Sequence, residues 1–448
     1  MSYLSLSDND RKEMLAAIGI GSTADLFGCI PKEVRLARDL ALPGPVAELD
    51  LVREMEEAAA RNAYPHFLSF LGGGAYDHLI PTVVDSLSSR GEFVSPYTPY
   101  QPEVSQGTLQ VIFEFQTLVC QLTGLDIANA SLYDGATGAA EAVLMAHRLT
   151  NRPRVLVARS LHPQYREVIR TYIRNLGLQA VEVPFGRDGR LDGPALAGLL
   201  DDTVAGLVCQ SPNFFGVIED VKALSEAAHG RKALSAVVVA EALSMGLLEA
   251  PGALGADIVT GEMQSFGLPL SFGGPTLGFM ACRKDYVRQL PGRIAGQTTD
   301  VEGRRGFVLT LATREQHIRR EKATSNICTN EALCALRATI FLESLGRPGL
   351  REMAWQNVQK AAYALDVLTA VRGVRRRFGG APFNEFVLEF PKPWAGIDAA
   401  LRAKGILGGL GLEGVFPELR NSALVCVTEL KRKDDIDRLG RALQEALR

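Results

Sequence analysis

Between about residues 127 and 285, short continuous apolar runs alternate with amphipathic stretches. Residues 155–158, 180–183, 205–209, 236–240, 258–259 and 277–282 read as strands, separated by helical stretches such as 164–175 and 221–228. Apolar strands alternating with helices predict a mostly parallel sheet covered on both faces, with ligands taken in the crevice beyond the strands' carboxyl ends. Upstream the pattern is helical. Ser7 caps a helix over 8–18 that Gly19 and Gly21 end, and a second helix covers 45–63 before Pro65. The run 72–74 (Gly-Gly-Gly) is a strong break. Three prolines within 95–102 (SPYTPYQP) force a stiff extended loop. Beyond it Leu109, Ile112, Phe113, Gln116, Val119 and Cys120 recur at helical spacing. After about 330 the pattern changes to helices over 331–345 and 350–370, strands over 385–390 and 423–427, and a closing helix over 434–447. The expected organisation is a helical arm (1–75), a large α/β domain (76–328) and a smaller α+β domain (329–448).

Composition narrows the classes of function. The chain has 448 residues, 47% hydrophobic and 22% charged, with a net charge of −3, which is ordinary globular usage and long enough for a large core. Its basic runs, such as 375–377, are short, so no nucleic-acid partner is indicated. No apolar run reaches membrane-spanning length, and the polar start lacks the pattern of a signal peptide. The seven cysteines are scattered without a C-x-x-C pair and mostly sit in apolar runs, which predicts buried free thiols and a reducing cytoplasm.

Four stretches are dense in polar and special residues: SPYTPYQPEVSQ (95–106), LTGLDIANASLYDGATGAAEA (122–142), GEMQSFGLPLSFGGPTLGF (261–279), and 290–330, which contains TREQHIRREKATSNICT. Together they resemble the N-terminal half of glycine decarboxylase, the P-protein of the glycine cleavage system, over nearly the whole chain. The resemblance implies a fold type I pyridoxal-phosphate enzyme fold. It also implies the alpha member of an alpha–beta pair that dimerises into a tetramer, acting on glycine with a lipoylated H-protein as acceptor.

A pyridoxal-phosphate enzyme needs from its protein a lysine, an acid for the pyridine nitrogen, a face for the ring and donors for the phosphate. No lysine lies between Lys232 and Lys284, and Gln264 sits where the resemblance places the catalytic partner's His-Lys pair. An amide cannot bond covalently to an aldehyde. Glu241 ends a strand where this fold places an aspartate, and we read it as a satisfied strand-end residue. His162 matches the ring-stacking position and, without the lysine, reads as a structural histidine. Asp134, before Gly135, would repel a phosphate or serve as the cap of the following helix. The expectation is an eroded pocket (His162, Glu241, Gln264), with pyridoxal phosphate on the beta subunit. No metal site is expected.

What this chain adds is then expected at an interface. Tyr97, Tyr100 and Gln101 lie on the stiff loop, where prolines lower the cost of presenting two phenols; plain packing fits them equally. Arg314, His317, Lys322, Ser325 and Asn326 belong to a basic stretch suited to a carboxylate or an acidic carrier, the alternative being a solvated helix with internal ion pairs. Rival readings are a self-sufficient enzyme using an unexpected lysine, for which Lys322 lies too far past the sheet, and a purely structural protein.

Overall fold

A computed structural model of the chain describes residues 5–36, 38–94 and 98–448. Contacts divide it into two units, Met1–Pro65 and His66–Arg448.

The first unit contains α1 (Asp8–Ile18) and α2 (Glu48–Ala59). Ser7 and Asp10 form a reciprocal capping box on α1, and Gly19, at φ 81°, ends it. No described residue of this unit is buried, and Met14, Ile18, Phe27, Val52 and Met55 are among its exposed apolar side chains.

The second unit is built on a seven-stranded sheet. Its strands are β1 (Ile127–Ala128), β2 (Arg154–Ala158), β3 (Gln179–Val183), β4 (Val204–Gln210), β5 (Leu234–Val239), β6 (Ile258–Glu262) and β7 (Gly278–Cys282). They lie in the order β1-β7-β6-β5-β4-β2-β3. β2 to β6 are parallel, and β7 runs antiparallel to both of its neighbours. Alternate residues point to opposite faces. Leu156, Leu207, Val237 and Val259 join one core with α4 (Gln106–Thr123), α7 (Val221–His229) and the first half of α8 (Ala332–Thr369), which also takes Val84 of α3 (Thr82–Ser88). Val155, Val157, Val208 and Val238 join the other with α5 (Gly135–Thr150) and α6 (Pro163–Ile173). Both faces being covered explains why these strands are continuously apolar.

The stretch 290–310, which the sequence marks only by its density of polar and special residues, contains an antiparallel hairpin, β8 (Ile294–Thr299) with β9 (Arg305–Thr310). The two helices expected over 331–345 and 350–370 form the two halves of α8, separated where Gly346 takes the non-helical φ 59° and ψ −179° two residues before Pro348. The second half of α8 packs with α9 (Trp394–Arg402) and α10 (Lys433–Ala446) on a four-stranded antiparallel sheet, β10 (Arg375–Arg376), β11 (Glu385–Glu389), β12 (Leu410–Gly411) and β13 (Ser422–Cys426). Of the cysteines, Cys209, Cys282, Cys334 and Cys426 are buried, whereas Cys29 and Cys328 are exposed.

Candidate functional site

His162, Glu241 and Gln264 follow the carboxyl ends of β2, β5 and β6, three parallel strands of one sheet, and all three are buried. They therefore line one crevice, the position at which open α/β sheets take ligands. The structure also brings the chain's own main chain there.

Gln264 binds backbone with all of its side-chain polar groups. Its Oε1 accepts from Tyr76 N at 2.9 Å, and its Nε2 donates to Tyr76 O at 2.9 Å and Leu268 O at 2.7 Å. His162 Nε2 donates to Gly73 O at 2.7 Å while its Nδ1 accepts from Gln164 N at 3.2 Å. One nitrogen donates and the other accepts, so the ring is neutral, and burial holds its pKa below the ordinary value. Gly74, at φ +106°, lies so close that an added Cβ would come within 2.7 Å of His162 Nε2.

Glu241 is fully engaged. Its Oε1 accepts from Leu243 N at 3.0 Å and Ser265 Oγ at 2.7 Å, and its Oε2 from Asn384 Nδ2 at 3.0 Å and His78 Nε2 at 2.9 Å. The other nitrogen of His78 reaches Glu429 Oε2 at 2.8 Å. Both ring nitrogens face carboxylate oxygens, which only accept, so His78 is an imidazolium. Burial opposes its charge, yet Glu241 and Glu429 prevail and raise its pKa to about 10. Beside it, Tyr76 donates its hydroxyl to Glu385 at 2.9 Å. Burial lifts the Glu385 carboxyl to about 7.

The N-terminus of α5, where this fold would cradle an anion, is occupied by carboxyl groups of the chain. Asp134 Oδ1 caps it by accepting from Thr137 N at 2.6 Å. Glu262, buried at the end of β6, accepts from Gly135 N at 3.1 Å, Gln264 N at 3.0 Å and Leu277 N at 2.7 Å. Burial pushes the Glu262 carboxyl up to about 7.

The basic stretch is neither one solvated helix nor one site. Arg314 is buried, and its guanidinium donates to the carbonyls of Leu290 and Gly292 (2.6 Å to the latter), so it braces the turn before β8. His317, Lys322 and Asn326 are exposed. Ser325 donates to the buried Glu141 at 2.7 Å. Tyr97 lies outside the described residues. Tyr100 is 64% exposed, and Gln101 is exposed beside it. Tyr100 is met by a residue not singled out in the sequence: the buried Arg293 donates to its hydroxyl at 3.4 Å, with the guanidinium 5.5 Å from the ring centre. Arg293 is itself fixed by Thr329 Oγ1 at 2.9 Å and Asn330 Oδ1 at 3.3 Å, and lies 4.0 Å from Glu315, which sits 3.8 Å from His317. The structure thus links Tyr100 to His317 through Arg293 and Glu315. Arg293 stands inside the dense 290–330 stretch, but nothing in its local pattern distinguishes it from its neighbours.

This sheet order and carboxyl-end crevice define a fold type I pyridoxal-phosphate enzyme fold. The same fold is seen in Lactobacillus brevis glutamate decarboxylase (TM-score 0.69, 12% identity, 94% of this chain and 97% of that chain covered). The chain belongs to the glycine cleavage system P-protein family, whose profile matches residues 1–443. It is 52% identical to the probable glycine dehydrogenase (decarboxylating) subunit 1 of Moorella thermoacetica, with all of both chains covered. It is 51% identical to the Geobacillus kaustophilus protein of the same name, over 97% of each. An inhibitor-bound crystal structure of glycine decarboxylase (P-protein) superposes with a TM-score of 0.91 at 46% identity over the whole of both chains.

The cofactor of this fold can be tested against the residues present, and they do not fit it. Gln264 offers no amine. Lys360, the lysine bonded to this network among the described residues, gives its ammonium to the Glu429 carbonyl. Asp134 and Glu262 hold the helix N-terminus against a phosphate, and the main chain at Gly73 and Gly74 lies on His162, where a ring would stack.

Proposed function

We propose that this chain is the non-cofactor-bearing subunit of a two-chain, cytoplasmic glycine dehydrogenase (decarboxylating). The second chain holds pyridoxal phosphate on its own lysine, releases carbon dioxide from glycine and passes the aminomethyl group to the lipoyl arm of the H-protein. The observation that carries this reading is Gln264: at the end of β6 it has no nucleophile, and its amide is consumed by main chain. The curated relatives carry the words "subunit 1", which fits a chain that works beside another. The apolar side chains exposed on α2, Val52 and Met55 among them, favour a protein that is covered in an assembly.

On this reading, residues around Tyr100 and His317 act on the partner's site. Tyr100 presents a phenol and a flat face at the surface, and Arg293 holds it there. The exposed Arg319, Arg320 and Lys322 add a positive field suited to an acidic carrier.

The test is reconstitution. Each chain is assayed alone and mixed, with glycine, H-protein and pyridoxal phosphate, following exchange of labelled bicarbonate into glycine. Activity is expected only in the mixture, with visible cofactor absorbance on the second chain. A purified single chain of this sequence that turns over glycine, or holds a borohydride-reducible cofactor, overturns the proposal. Full activity of the second chain alone reduces this one to scaffold.

A further inference from the structure

The crevice is crossed by one short stretch of the chain, from Gly72 to Leu79, and the contacts of that stretch run to both sides. Towards the seven-stranded sheet, Gly73 O meets His162, Tyr76 main chain meets Gln264, and His78 meets Glu241. Towards the C-terminal part, Gly73 N donates to Glu385 Oε1 at 2.7 Å, the Tyr76 hydroxyl donates to Glu385 Oε2, and His78 and Leu79 N meet Glu429, the latter at 2.6 Å. Glu429 is steadied by Asn357 Nδ2 at 2.8 Å from α8.

The crevice residues match this occupant group by group. Gln264 pairs with both the N–H and the C=O of Tyr76, as a neighbouring strand would. A lysine at that position has three donors and no acceptor, so it would leave the buried Tyr76 N–H unpartnered. A neutral side chain at 78 would leave Glu241 and Glu429 without the cation that lies between them. Any residue but glycine at 74 would drive a Cβ into His162.

We infer that residues 72–79 are an intramolecular ligand of the cofactor crevice, held there as a clasp that joins the seven-stranded sheet to the C-terminal four-stranded sheet. The residue that abolishes covalent cofactor binding, Gln264, is then also the one that seats the clasp. This inference rests on the reading that the chain carries no pyridoxal phosphate. It adds that the crevice is filled by the chain itself and that the filling couples two parts of the molecule that also share an apolar core of Phe214, Phe215, Val217, Val387 and Leu424.

Amide hydrogen exchange read by mass spectrometry on the intact chain tests it, with peptides covering 72–80, 238–244, 380–388, 424–431 and, as reference, 106–123. In Gln264→Leu, exchange is expected to rise about tenfold or more in 72–80 and to rise together with it in 380–388 and 424–431, leaving the α4 reference unchanged. His78→Gln, which removes the cation between Glu241 and Glu429, should raise the same set as well, and it serves if Gln264→Leu does not fold. Faster exchange confined to 72–80 in the variant that folds overturns the clasp, because the two sheets would then hold together without it. Failure of either variant to fold while the other exchanges like the wild type overturns it as well. Equilibrium dialysis of the wild-type chain against pyridoxal phosphate is a separate readout. Stoichiometric binding there would overturn the underlying reading, whatever the exchange pattern.

Discussion

At the scale of single residues, charge placement decides the behaviour of the crevice, and pH exposes it. His78 faces Glu241 and Glu429, with Tyr76 beside it and Glu385 beyond Tyr76. A base whose pKa is raised by folding, here from 6.5 to about 10, stabilises the fold fully below 6.5 and loses that contribution as pH climbs to about 10. Glu262 and Glu385, acids raised by burial from 4.5 to about 7, lose theirs as pH rises through that lower window. The melting midpoint of the isolated chain is therefore expected to fall in two windows. His78→Gln should remove the slope between about pH 7 and 8.5, below the range where the buried thiols add their own; a variant that keeps the wild-type slope there would show that His78 is not the group responsible. Tyr100 gives a second residue-scale prediction. Because it is 64% exposed and its main tie is the guanidinium of Arg293, Tyr100→Ala should cost the isolated chain no more than about 1 kcal/mol in thermal unfolding. The rate of the mixed subunits should nonetheless fall about tenfold or more, as misplacing a group at a reacting site does. An undiminished rate removes Tyr100 from the site.

At the scale of elements, legibility in the sequence followed burial. The inner strands of the large sheet are readable because both of their faces are covered, so apolar runs such as 205–209 have no polar interruption, whereas the two-residue edge strand β1 leaves no such run. The capping box at Ser7 and Asp10 was equally local. The β8–β9 hairpin is hard to read because only Ile294, Ala295 and Phe307 of its residues are buried, too few to set up an apolar alternation. The crevice shows the same divide. The missing lysine is a property of one stretch of sequence, whereas His78 meets Glu241 and Glu429 across 163 and 351 residues of chain, separations no local pattern encodes. The sequence predicts two helices across α8, and the break between them is real. Gly346 takes φ 59° and ψ −179°, a region nearly reserved for glycine, and an added Cβ would find nothing nearer than Pro348 Cδ at 3.7 Å. The cost of Gly346→Ala is thus backbone strain without a clash, and it should lower unfolding free energy by about 1–3 kcal/mol. A denaturant midpoint unchanged from wild type would mean that the helix axis bends for another reason.

At the scale of the whole molecule, the two units differ in what holds them. The core clusters of the described residues draw their members from Phe70 onward, and none comes from Met1–Pro65. A chain beginning at His66 therefore keeps every buried apolar contact of its cores and should melt within a few degrees of the full chain, since about 1 kcal/mol moves the midpoint of a domain this large by only about 2–4 °C or less. The first unit, by contrast, has capped helices but no described buried residue, and short helices without a covered apolar face are marginal in water. In the proposed two-subunit enzyme its exposed Met14, Ile18, Val52 and Met55 supply an assembly surface. Removing residues 1–65 should leave a folded protein that no longer elutes with the second subunit in size-exclusion chromatography, and whose mixture with that subunit has lost most of its exchange activity. If the shortened chain still co-elutes and supports full activity, the arm is dispensable to assembly. If it fails to fold, the cores of the second unit are not self-sufficient and the first unit is part of what holds them.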